Sequence, residues 1–116
     1  MATIFSKFLT EMDVTRSLVI PTNFMGLIDF EKGRVMDMHV HDDAGGLWMF
    51  RCSVQQNGIV GDVLCVDWIE FVQHRNVKVE DKVIFVMEDE AMGGRMKIEV
   101  KRKIRLFGQD IWADVK

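Results

Sequence analysis

In Gly45-Gly46-Leu47-Trp48-Met49-Phe50-Arg51-Cys52-Ser53-Val54 the residues alternate strictly. Trp48, Phe50, Cys52 and Val54 share one face, and Leu47, Met49, Arg51 and Ser53 share the other. Period two with one apolar face is the signature of a strand lying on a core. A turn precedes it: Asp42-Asp43-Ala44-Gly45-Gly46 supplies two carboxylates and two glycines that tolerate positive φ. Upstream, Val35-Met36-Asp37-Met38-His39-Val40-His41 alternates in the same way. Two alternating runs around an Asp/Gly turn predict an antiparallel hairpin. Its Trp and Phe carry enough apolar area to anchor the core.

Working outward, short strand signals recur. Thr3 to Leu9 and Ser17 to Ile20 are apolar and β-branched, and Pro21 ends the second. Between them Thr10-Glu11-Met12-Asp13 resembles a capping box, and Thr10 to Arg16 reads as a turn or short loop. Thr22 to Phe30 spaces Phe24, Leu27 and Ile28 for one or two helical turns, weakened by Gly26. Gln55-Gln56-Asn57-Gly58 reads as a polar loop with Asn-Gly at its tip, followed by a strand within Ile59 to Val66. Asp67 to Asn76 places Trp68, Phe71, Val72 and Arg75 on one helical face, with Asp67 as cap and Asn76 near the C-cap. Val83 to Met87 is a strand apolar on both faces. Met96, Ile98, Val100, Ile104 and Leu106 alternate with Lys97, Glu99, Lys101, Lys103 and Arg105, so the last long strand has a dry face and a basic one. Ile111-Trp112 folds back beyond a turn at Gly108 to Asp110. About seven short strands with two small helices predict a mainly β fold, a barrel or sandwich.

Composition sets bounds on function. The chain has 116 residues, 48% hydrophobic and 28% charged, the balance of one globular domain spanning 1–116. It lacks an apolar run long enough to span a membrane and a leader-like N-terminus, so no membrane partner is expected. Cys52 and Cys65 sit in strand-like contexts and read as two free, buried thiols. The net charge of −3 argues against any nucleic-acid reading based on bulk charge. Nucleophile elbows, phosphate loops and Cys-His motifs are missing, which speaks against an enzyme, a cofactor or a small-molecule substrate. His39 and His41 share a strand face, but paired Cys spacing is lacking and a metal site is not expected.

With its pieces in this order, the chain resembles the plant-type B3 DNA-binding domain. The likeness rests on Phe5-Ser6-Lys7-Phe8-Leu9-Thr10 with Asp13-Val14, and on Leu18-Val19-Ile20-Pro21 with Phe24. It continues through Trp48-Met49-Phe50-Arg51, Trp68-Ile69-Glu70-Phe71-Val72, Val79-Glu80-Asp81-Lys82-Val83-Ile84-Phe85 and Ile98-Glu99-Val100-Lys101-Arg102. The resemblance implies a seven-stranded open pseudobarrel with two short helices. It also implies a transcriptional regulator in a plant nucleus that reads the major groove of double-stranded DNA with two arms. The N-arm is Thr10 to Ser17, with Thr10, Thr15, Arg16 and Ser17 as contact candidates and Lys7 beside them. The C-arm follows the Trp-x-Phe-Arg strand from Ser53 to Gly61. It offers Ser53, Gln55, Gln56 and Asn57, with Arg51 at its root. Arg suits guanine, Gln and Asn suit adenine, and hydroxyls suit phosphates.

The C-arm departs from the family pattern. Where the family carries Lys or Arg and a proline, this chain has Gln55 to Asp62 with no basic residue and one acid, and Asp67-Trp68 replaces Gly-Trp. An alternative is therefore a B3-like interaction or dimerisation module with weak or lost DNA binding, whose partners are a second copy or other regulators. Lys101-Arg102-Lys103 with Lys97 and Arg105 is the basic cluster, read first as the solvated face of a strand. Most of the nine methionines read as core filler, with Met12, Met87 and Met92 near loops and open to a partner.

Overall fold

A computed structural model describes residues 2–21, 35–57, 61–88 and 95–115. The helix expected over Thr22 to Phe30 and most of the acidic loop before Gly94 lie outside these residues. Eight strands and two helices follow in order: β1 (Ala2–Phe8), α1 (Glu11–Thr15), β2 (Leu18–Pro21), β3 (Val35–His41), β4 (Leu47–Asn57), β5 (Gly61–Asp67), α2 (Ile69–Arg75), β6 (Lys82–Glu88), β7 (Arg95–Leu106) and β8 (Gln109–Asp114). They form one sheet in the order β1-β6-β7-β3-β4-β5-β2, with β8 paired to β7. The sheet curls into an open half-barrel. Its two halves meet at one parallel contact, His41 opposite Lys97.

The central hairpin forms as the alternation predicts. Met38 pairs with Phe50 and Val40 with Trp48 in antiparallel register. Phe50, Cys52 and Val54 are buried, and Trp48 packs against the core. Gly45 takes φ +85° in the turn, and a side chain on Gly46 would start 2.8 Å from Asp42 Oδ2. The carboxylate fills that space because it holds the turn: Asp42 Oδ1 accepts from the Ala44 and Gly46 amides at 2.9 and 2.7 Å. Oδ2 accepts from Trp48 Nε1 at 2.8 Å and pairs with Arg75 of α2 at 2.6 Å.

Helix α2 buries Phe71, Val72 and Arg75. Phe71 meets Trp48 edge-on at 5.2 Å and stacks on Trp68 at 5.9 Å. Asn76 ends the helix in the left-handed region at φ 54°, a conformation Asn tolerates better than most residues. Trp68, not Asp67, is the N-cap residue, and it makes no side-chain cap bond. Asp67 instead closes β5, because the strand register with β4 continues to Arg51. Trp68, Phe85, Leu18, Ile20 and Leu64 are among the largest fully buried side chains. Each such burial is worth roughly 1.5–3 kcal/mol for an aliphatic or Phe side chain.

Three further expectations change. Residues 10–16 contain a true helical turn, since Thr10 and Asp13 form a complete capping box. Gln55, Gln56 and Asn57 extend β4 and pair with Val63, Asp62 and Gly61, so these three residues are strand and not free loop. The dry face of β7 holds only as far as Val100. Arg102 lies on that face and binds Asp81 with both carboxylate oxygens, at 3.0 and 2.9 Å, and Asn76 O at 2.9 Å. Beyond it Ile104 and Leu106 leave the core and stand 39% and 49% exposed, where the β7–β8 hairpin projects.

The Asp42 network predicts acid sensitivity. Burial raises the Asp42 pKa, but hydrogen bonds from Trp48, Arg75 and the Gly46 amide outweigh it, with help from the Arg75 charge. The result is a pKa of about 2 against an ordinary 3.8. A depressed carboxylate pKa stabilises the fold above the unfolded value and loses that contribution as pH falls. The group is therefore expected to contribute about 2 kcal/mol at neutral pH, lost between about pH 4 and pH 2. Urea midpoints across that window check it: Asp42→Asn starts less stable at neutral pH and shows a shallower acid slope.

Candidate nucleic-acid interface

The N-arm is built on a buried carboxylate. Asp13 is 1% exposed and accepts from Thr10 N at 2.8 Å, Thr10 Oγ1 at 2.9 Å, Val19 N at 3.2 Å and Lys7 Nζ at 3.0 Å. Its backbone carbonyl accepts from Trp68 Nε1 at 2.7 Å. This network ties α1 to β1, β2 and the start of α2. The chain therefore leaves α1 in a defined direction, and Arg16 and Ser17 stand at its end, their amides both bonded to Met12 O.

The outer face of β3, β4 and β5 lies next to that segment. Phe50, Cys52 and Val54 point inward, so Arg51, Ser53 and Gln55 point outward. Arg16, Ser17, Arg51, Ser53 and Gln55 line one shallow cavity of about 330 Å³, with Val35, Cys65 and Asp67 completing its wall. Gln55 Nε2 donates to Ser53 Oγ at 3.5 Å. Ser17 hydrogen-bonds the Cys65 thiol, whose pKa burial nonetheless raises. Cys52 lies beneath the strand, and burial holds its thiol at about 11. Both cysteines are free.

Five of the expected contact residues thus converge from two separate segments. The others are placed differently. Lys7 Nζ is engaged by Asp13 and by Val19 O at 2.9 Å. Thr10 is the cap of α1. Thr15 Oγ1 donates to Glu11 O at 2.7 Å on an exposed helix face. Gln56 and Asn57 occupy the last two positions of β4. Asp37 and Asp67 are neighbours of Arg51 that the sequence does not mark as such. Both are directly opposite it, on β3 and β5. The alternation of each strand signalled their facing, but only the pairing register brings the three together.

The basic cluster of β7 is largely neutralised. Lys101 pairs with Asp114, Arg102 with Asp81, Lys103 with Asp110 and Lys97 with Glu88 and Glu99. Lys103 and Arg105 are exposed, Lys97 and Lys101 are half-buried, and four of these five pairings reach across to another strand or turn. On β3, His41 Nδ1 faces the Arg95 guanidinium at 3.3 Å. No group of three or more potential metal ligands gathers among the described residues. Among them, too, no helix is long and apolar enough to cross a membrane.

The family model of the B3 DNA binding domain matches residues 5–104, and the chain belongs to this family. A solved structure described as an Arabidopsis FUS3-DNA complex shares its fold with a TM-score of 0.74 at 16% identity, over 86% of this chain and 97% of that one. Among curated proteins none matches by sequence. The seven-stranded pseudobarrel expected from the resemblance is present as β1–β7, and β8 is a further strand beyond the matched residues.

Proposed function

We propose that the domain is the sequence-specific, double-stranded DNA-binding module of a plant transcriptional regulator acting in the nucleus. The N-arm, Thr10 to Ser17, and the C-arm, Ser53 to Gly61, enter the major groove together. The observation that carries this reading is the convergence of Arg16, Ser17, Arg51, Ser53 and Gln55 on one cavity. Family membership and a neighbour solved as a DNA complex support it. In this assignment Arg16 is the leading contact: it is exposed, at the tip of a rigidly held turn. Lys7 positions the arm through Asp13, and Gln56 reads a base edge.

Selection from a randomised duplex pool at low salt, followed by titration at rising salt, tests the reading. Enrichment of a short motif is expected. Arg16→Ala is expected to weaken binding to that motif by about 1–3 kcal/mol if it pairs a guanine, or to reduce the salt slope by about one if it pairs a phosphate. Gln56→Ala is expected to relax base preference. Unchanged affinity and preference in both variants would remove the arm assignment.

A second reading is favoured by one surface. Phe107 is 96% exposed, and Leu106, Ile104, Ile111 and Trp112 are each exposed on the β7–β8 hairpin, whose tip and second strand lie beyond the family match. A module that dimerises or binds another regulator through this hairpin is expected to show a concentration-dependent mass by light scattering. A strict monomer at high concentration removes the self-association version.

A further inference from the structure

We infer that Asp37 and Asp67 are specificity-determining residues, which bracket Arg51 so that it reads base edges and not phosphates. The inference rests on the DNA-binding reading above. Asp37, Arg51 and Asp67 form one row across β3, β4 and β5, each carboxylate residue directly opposite the arginine in antiparallel register. Directly opposed residues share a sheet face, with Cβ atoms about 4.5–5.5 Å apart. All three are exposed. Arg51 and Asp67 line both the cavity that holds Arg16 and the neighbouring one, of about 320 Å³, where Asp37 and Glu70 also stand.

The row carries one positive and two negative charges. The row's net charge is negative, so a phosphate is held at Arg51 more weakly than by a lone arginine, and the backbone contact that dominates non-specific affinity is weakened there. A base edge is treated differently. Guanine presents O6 and N7 to the guanidinium, while the amino groups of cytosine and adenine donate to a carboxylate. Two flanking carboxylates therefore weaken the contact common to all DNA and leave contacts that depend on sequence. Specificity is a difference of affinities, and repulsion of the wrong partner is one way to obtain it. The uncharged C-arm works in the same direction, because it too withholds phosphate contacts.

The test is the double variant Asp37→Asn with Asp67→Asn, near-isosteric changes at exposed positions, with folding checked by thermal melting. Fluorescence anisotropy compares a scrambled duplex with the duplex enriched by the wild-type protein across a salt series. At about 6 Å in water-like screening each charge is worth roughly threefold in affinity, so scrambled DNA is expected to bind roughly tenfold more tightly. The salt slope is expected to steepen by about 0.9, as for one added phosphate contact. Affinity for the enriched duplex is expected to rise less, so the ratio of the two falls. Adding Arg51→Gln to the double variant is expected to cancel the gain. An unchanged ratio in the folded double variant overturns the inference and leaves the DNA reading standing. A wild-type protein that enriches no duplex at low salt overturns both.

Discussion

Asp13→Ala is expected to cost the domain about 3–5 kcal/mol of stability, the range for removing one partner of a buried ion pair. The carboxylate is 1% exposed and satisfies four donors. Its loss leaves the Thr10 and Val19 amides without their side-chain acceptor and the partly buried Lys7 ammonium with only Val19 O at 2.9 Å. Against a total of about 5–15 kcal/mol for a domain of this kind, that is a large share, and the melting temperature is expected to fall by roughly 15 °C. Urea denaturation with an unchanged m-value measures it. The functional consequence is separable. At low temperature, where the variant is still folded, Arg16 and Ser17 lose their anchor, and DNA affinity is expected to fall more than Lys7→Met makes it fall. A loss below about 1 kcal/mol would show that solvent replaces the carboxylate and that the arm stands without it.

The second large effect lies at the other end of the central hairpin. Arg75→Met is expected to cost about 3 kcal/mol. Arg75 and Asp42 are 9% and 7% exposed and 2.6 Å apart, and the Arg75 guanidinium lies 5.8 Å from the Phe71 ring centre. Methionine keeps much of the apolar stem but leaves Asp42 charged and buried. The remaining donors, Ala44 N, Gly46 N and Trp48 Nε1, keep the loss near the lower end of the range. Without the arginine the Asp42 pKa rises, so acid unfolding is expected to begin at higher pH than in the wild type. A double-mutant cycle with Asp42→Asn is expected to return a coupling of about 1–3 kcal/mol. Additivity would show that turn and helix are held by packing alone.

Much of the domain was legible in the chain. Strict alternation in Val35 to His41 and in Leu47 to Val54 specified the hairpin and its inward face, because a one-residue slip would expose Phe50 and Cys52. The spacing of Trp68, Phe71, Val72 and Arg75 specified the buried face of α2. The capping box Thr10–Asp13 is visible in the chain but its helix is not, since five residues of helix carry almost no periodicity. The strand at the start of the C-arm is hidden for a related reason. Gln55-Gln56-Asn57 has no apolar alternation, and its strand character comes from pairing with β5.

Local order thus follows from side chains within a few residues of each other: alternation, caps, turn glycines and the ordered motifs that mark the family. These act over short spans and leave their pattern in the sequence itself. The site depends on contacts that no short span contains. Asp13 reaches Lys7, Val19 and Trp68, Arg102 reaches back to Asp81, and Asp37, Arg51 and Asp67 meet only when three strands take one register. A charged side chain looks the same in sequence whether it is free, paired or buried. Its partner is chosen by the fold, because a buried or crowded charge is tolerated only where the tertiary structure supplies its counterpart. Composition therefore counted the cations of this protein, and the curled sheet determined that Arg16 and Arg51 face the cavity while Lys7, Lys101 and Arg102 hold the scaffold together.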